Sequence, residues 1–248
     1  MNIIEPISID HTTVISNVAD LEMLSNMFNG LSRIATSNGG KISVQFEPGK
    51  RYNSLSLLNV DADYVAVTMT HPDDGFVYGK YLDLVNYSGI NSYYDWCFRE
   101  PLKYKNFALF DLPIYDNSTL LIVAKKSTGD VVIGECIVGQ HTNVGELLYE
   151  IPYNTTGNTK KSRDSETNIV SLVPGENAIN PTFLLKIEDY RFYHLRDLLN
   201  SFHNTNLVFA EDENSEGIVY GFITGHSGIR KGFNKSTYSI SIEELTGW

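Results

Sequence analysis

Hydrophobic positions repeat at two different periods along the chain. Between Asn17 and Ile34, the residues Val18, Leu21, Leu24, Met27, Phe28, Leu31 and Ile34 recur at steps of three and four, the spacing that aligns side chains on one face of a helix. Ser16 or Asn17 can cap its free amides, Asp20 and Glu22 suit its positive end, and Gly39-Gly40 follows as a stop. This predicts an N-terminal helix docked on a sheet. From Lys41 onward the pattern shortens to period two or to brief apolar runs: KISVQFE, SLSLLNV, YVAVTMT, FVYGKYLDL, FALFDL, TLLIVAKKS and VVIGECIVG. Strands at this spacing, separated by EPGKRYN, HPDDG and STGD, indicate a β-sandwich or jelly roll. STGD, with Gly129 free to take positive φ, predicts a hairpin pairing Thr119–Val123 with Val131–Val138.

Beyond ELLYEIPY the chain turns polar, and the segment from Asn154 to Asn180 reads as a linker or long excursion with NIVSLVP as a short strand within it. After it come strand TFLLKIE, a helix from about Tyr190 to Phe202, and strands NLVFA, GIVYGFITG and STYSISIEEL. The fold class that follows is mainly β: an N-terminal helix plus β-sandwich or jelly-roll-like domain over 1–153, a polar linker over 154–180, and a small α+β module of βαβββ order over 181–248.

Composition narrows the function classes. The chain has 248 residues, 42% of them hydrophobic and 12% aromatic, enough for a sizeable core. With 30 acidic against 19 basic residues the net charge is −11, a field that repels nucleic-acid phosphates and anionic lipid. The one dense basic run, Lys160 to Arg163, lies in a polar stretch and reads as a solvated loop. MNIIEPISID lacks a basic and then apolar leader, and no run approaches the roughly 18 apolar residues of a membrane span. Neither secretion by that route nor membrane insertion is expected, so the N-x-S/T sequons at Asn86, Asn117, Asn154 and Asn234 read as turns. Cys97 and Cys136 lie too far apart for a redox or zinc motif and are expected to be buried free thiols.

Catalytic signals are weak. EDENSEG places Asp212, Asn214 and Glu216 at alternate positions, but the twelfth position of a calcium loop would be Ile223, so an acidic hairpin tip is the reading. GHSG has Ile229 where a nucleophile elbow needs glycine, which leaves a turn with His226 exposed. His11, His71, His141, His194 and His203 form no ligand pair. Asp61 with Asp63, or Asp73 with Asp74, could act as an acid and base pair, yet a turn or solvent face accounts for them. No enzyme activity, cofactor, metal site or catalytic residue is therefore expected. SGINSYYDWCFREP, Ser88 to Pro101, is the richest stretch: Tyr93, Tyr94, Trp96 and Arg99 are candidates for a glycan platform or a subunit interface. Read at period two, Tyr94, Trp96 and Phe98 would face the sandwich core and Asp95, Cys97 and Arg99 the other side.

In their order along the chain, NSLSLLNVDADYVAVTM, VYGKYLDL, YYDWCF, FALFDLPIY and VVIGECIVGQHTNVGELLYEIPY resemble a family of tail and baseplate structural proteins of tailed bacteriophages. The similarity spans about Lys41 to Tyr153 and, more loosely, the C-terminal module, where Tyr220-Gly221 stands at a YG-containing strand. Two features depart from that family: the helical pattern replaces a small carbohydrate-binding insert near the N-terminus, and YNTTGNTKKSRDSETN replaces the usual segment after the sandwich. The resemblance implies a virion component assembled in the host cytoplasm, with other tail or baseplate proteins as partners and a homo-oligomeric ring in the particle. A receptor- or glycan-binding module of a phage tail is the alternative, with a host surface glycan as ligand.

Overall fold

The computed structural model describes residues 1–10, 13–18, 20–30, 36–148, 153–157, 160–163, 170–173, 177–211, 213, 217–230 and 235–245. The chain is mainly β and forms two compact units: Ile4–Thr142 with Ala210–Ile218, and Met1–Ile3 with Asn143–Phe209 and Val219–Trp248.

The larger unit contains β1 (Asn2–Pro6), β2 (Ile15–Ser16), α1 (Leu21–Ser25), β3 (Thr36–Phe46), β4 (Ser54–Leu58), β5 (Tyr64–His71), β6 (Gly75–Asp83), β7 (Val85–Asn86), α2 (Tyr93–Phe98), β8 (Leu102–Lys103), β9 (Phe107–Leu109), β10 (Thr119–Ile133) and β11 (Glu135–Asn143). One sheet runs β2-β3-β10-β5-β6, and a second has the order β1-β11-β4-β9. Alternation dictates what each buries. In the first sheet the register sets Phe46, Leu120 and Met69 in one row, Val44, Ile122 and Val67 in the next, and Ile42, Ala124 and Val65 in a third. In the second sheet Val138, Leu55 and Leu109 form one row and Cys136, Leu57 and Phe107 another. All these residues belong to one buried cluster, so the two inner faces close on each other as a β-sandwich. The central strand β4 is buried throughout. Its two serines therefore need partners, and Ser54 Oγ donates to Gly139 O while Ser56 Oγ donates to Phe107 O.

Three sequence expectations change here. The N-terminal helix is one turn, α1, followed by a 3-10 turn at Asn26–Phe28. Its N-cap is Asp20, whose carboxylate accepts from Glu22 N. Asn17 instead joins the sheet, accepting from Ser43 N and donating to Lys41 O, which withdraws it from any helix. Leu31 and Ile34 lie outside the described residues. STGD is not a hairpin turn, because β10 continues through it and pairs with β3 on both sides of a register shift between Lys125 and Asp130. The extra residues form a bulge, with Gly129 at φ 83°. Cys136 is buried as expected, but Cys97 is exposed.

The smaller unit holds β12 (Glu146–Leu147), β13 (Tyr153–Gly157), β14 (Lys160–Arg163), β15 (Val170–Val173), β16 (Asn177–Glu188), α3 (Phe192–Ser201), β17 (Leu207–Ala210), β18 (Ile218–Arg230) and β19 (Lys235–Glu244). Its sheet order is β12-β16-β19-β18-β17, with β13 also on β16 and β14 paired with β15. Phe183 faces Ile240 and Leu185 faces Tyr238 across β16 and β19. Leu195 and Leu199, four apart on α3, share the buried cluster with these rows. The expected βαβββ order is present from β16 to β19. The polar stretch expected as a linker is extended over its described residues: Tyr153–Gly157 pairs with Pro181 back to Asn177. A ladder satisfies backbone amides and carbonyls whatever the side chains are, which is why a polar composition hid it. GHSG likewise lies inside β18 and not in a turn.

Candidate interaction site

Among the described residues, the excursion between β6 and β9 presents the largest group of exposed aromatic side chains. Its stalk is the two-residue ladder of β7 and β8, pairing Val85 with Lys103 and Asn86 with Leu102. Polar bonds tie that stalk down. Leu84 N donates to Asp63 O, Tyr104 N donates to Leu84 O, and Lys103 Nζ reaches Asp63 Oδ1 at 2.8 Å and Asp61 Oδ1 at 3.3 Å. Asp61 also accepts from Lys126 Nζ at 2.6 Å, and Asp63 Oδ2 from Ser127 N at 2.7 Å. The Lys103 ammonium beside it, then the Ser127 hydrogen bonds, hold the Asp63 carboxyl down at about 2. Burial pushes the Asp61 carboxyl up, but bonds from Lys126 and Lys103 outweigh it, leaving it below the ordinary range. Asp61 and Asp63 thus pin the β10 bulge and the stalk to one place. Two carboxylates saturated by lysines in this way are poorly placed to exchange protons with a substrate.

At the tip stands α2. Ser92 Oγ accepts from Asp95 N, the N-cap half of a capping box, and also donates to Asp95 Oδ2. That bond, with Arg99 a weaker contributor, lowers the Asp95 carboxyl. Arg99 closes the far end, its Nη1 donating to Gly89 O at 3.1 Å. These bonds fix a helical conformation where period-two reading expected a strand. Consequently Tyr94, Trp96 and Phe98 do not reach the sandwich core. Tyr93 is 85% exposed, Tyr94 70%, Trp96 66% and Phe98 75%. The structure brings all four sequence-singled residues, Tyr93, Tyr94, Trp96 and Arg99, onto this one element or its cap, and adds Tyr87 and Leu102, both exposed on the stalk. Trp96 stacks on Tyr87 with centroids 6.0 Å apart, and Tyr94 meets Phe98 at 4.8 Å. A readable signal for this helix existed: S-x-x-D at Ser92 and Asp95.

The other candidates stay apart. His226 is held between Tyr238 Oη at 2.8 Å and Asn200 Oδ1 at 3.1 Å on the β18–β19 sheet, and burial, with His203 nearby, lowers its proton affinity. His71 Nδ1 accepts from the amides of Asp73 and Asp74 and so organises the β5–β6 turn. Asp212, Asn214, Glu216 and His11 lie outside the described residues. Among the described residues no three His, Cys, Asp or Glu side chains gather as a metal site would need, and no helix is long and apolar enough to cross a membrane.

No protein-family model matches the chain, and no curated protein matches it. Among solved structures, a chain in the tail of an empty GTA particle, determined by helical refinement with C6 symmetry, is similar at a TM-score of 0.30 and 16% identity. That similarity covers 43% of this chain and 83% of the other. A likeness of this size does not assign a function.

Proposed function

We propose that this chain is a non-enzymatic structural component of a bacteriophage tail or baseplate that works by protein–protein assembly, as a ring or adaptor component present in several copies. Two things support the reading: the ordered motifs that resemble tail and baseplate proteins, and the excursion around α2. The second carries it. Four large aromatic side chains on one short, hydrogen-bonded element, with Tyr87 and Leu102 beside them, form an apolar surface that costs free energy in water and is covered in a partner complex. Asp95 and Arg99, the charged groups of the element, are engaged with Ser92 and Gly89. What α2 offers a partner is therefore mainly apolar contact. Hydroxyl-radical footprinting of the free chain and of tail particles containing it tests this: Tyr94 and Trp96 are protected in the particle, and equal reactivity in both states overturns the reading.

The exposure of Trp96 also favours the second reading, a glycan- or receptor-binding module, because an open indole face can stack on a sugar ring. That reading gains if host surface glycans change the Trp fluorescence saturably and the change is lost in Trp96→Ala. It loses if the fluorescence is indifferent to them.

A further inference from the structure

The smaller unit carries a concentration of positive charge that the assembly reading does not use. Lys186 stands on β16 opposite Thr237 of β19, and Lys235 stands opposite Glu188. The two lysines are therefore one diagonal step apart on the same face of the sheet. The nearby positive charge of Lys235 is the main reason that Lys186 holds its proton less tightly than usual, with Glu146 opposing it. Neither makes an ion pair with a carboxylate of the described residues within 4.0 Å. Both line a concavity of about 470 Å3 together with Gly145, Glu146, Glu188 and Arg191. Arg191 donates one guanidinium nitrogen to Asn143 O at 2.9 Å, which fixes its charge at the rim.

Two like charges brought together repel, and an anion between them turns that repulsion into attraction. In a chain of net charge −11 the arrangement is also against the overall field. We infer that this concavity binds a carboxylate group, held between the ammonium groups of Lys186 and Lys235 with Arg191 at the rim. Glu146 and Glu188 also border the space and oppose a compact group that concentrates up to two charges, such as phosphate, more than one carboxylate group entering alone while the other charges of its molecule stay outside in solvent. Arg191, already bonded to Asn143, does not present a free fork to a phosphate. The carboxylate can come from an acidic segment of a neighbouring protein or from a free polycarboxylate, and the inference stands apart from the tail role.

Titration calorimetry on the full chain at low salt, with a capped hexaglutamate peptide, citrate and inorganic phosphate as probes, tests it. The peptide or citrate binds saturably, and Lys235→Met, a change at an exposed position, weakens that binding at least tenfold while Lys235→Arg retains it. Tighter binding of the peptide identifies a protein neighbour as the source, and tighter or equal binding of citrate a free polycarboxylate. No binding of either carboxylate, binding unchanged in Lys235→Met, or phosphate binding tighter than both overturns the inference.

Discussion

Lys103 Nζ lies 2.8 Å from Asp63 Oδ1, so a residue next to the exposed Leu102 is tied to the carboxylate that also holds the β10 bulge. One ion pair thus couples the position of the aromatic excursion to the sandwich. Burial alone would pull the Lys103 ammonium down, but its bonds to Asp63 and Asp61 raise it.

The sign of the pH dependence follows. Asp63 is held at about 2 in the folded chain, against about 3.9 unfolded, so its contribution is complete above the unfolded value and disappears as pH falls through about 2. Lys103 is raised, so its contribution is complete below about 10.4 and fades only as pH climbs past that. Lys103→Met is expected to lower stability by about 1 kcal/mol at pH 7. In urea unfolding the gap between the variant and the parent chain stays level from about pH 5 to 9 and narrows toward pH 2. A gap that does not change below pH 4 would show that Asp63 is not the partner.

Ser92→Ala removes both hydrogen bonds with Asp95. The expected cost is about 1 kcal/mol, spent locally on α2 and not on the sandwich. In a Trp248→Phe background, the emission of Trp96 should show faster depolarisation in Ser92→Ala, with Ser92→Thr, which keeps the hydroxyl, close to the parent. Unchanged anisotropy in the alanine variant would argue against the capping box as the determinant of the helix.

Gly139 on β11 sits where a Cβ would lie 2.0 Å from the carbonyl oxygen of Glu5. Backbone cannot swing aside as a side chain can, so Gly139→Ala should cost about 3 kcal/mol. A Cβ at Gly225 meets no heavy atom within 4 Å, and Gly225→Ala should change the thermal midpoint little. Similar midpoints for the two variants would contradict the close approach of β11 to the segment containing Glu5.

Leu57 and Trp96 are both large and apolar but occupy opposite environments, 0% and 66% exposed. Leu57→Ala empties space between Cys136 and Phe107 and should destabilise by about 2–5 kcal/mol. Trp96→Ala should shift stability by no more than about 0.5 kcal/mol. Chemical denaturation of both variants separates core from surface directly, and a large loss in Trp96→Ala would place that ring in the core after all.

The C-terminal βαβββ order was legible because each of its elements carries its own period: alternation in TFLLKIE and STYSISIEEL, and a Leu195–Leu199 step between them. The strands of the sandwich were legible for the same reason. Their connections were less so. STGD has the composition of a turn, and only the bonds from Lys126 and Ser127 to Asp61 and Asp63, residues more than sixty positions away, make it a bulge within one strand. The extended segments after Leu148 were hidden because backbone pairing leaves no hydrophobic trace.

The aromatic stretch divides the two kinds of knowledge most clearly. The residues of SYYDWCFR were enough to mark Tyr93, Tyr94, Trp96 and Arg99 as a place of interest, and the Ser92–Asp95 spacing already contained the helix. Local hydrogen bonds obey local sequence, so that much was determined by the chain itself. Whether those rings fill a core or face solvent depends on where the stalk is anchored and on what neighbouring strands leave uncovered. Burial is a property of the surroundings, and only the tertiary structure, through Lys103 and its two aspartates, placed the four aromatics outside the sandwich.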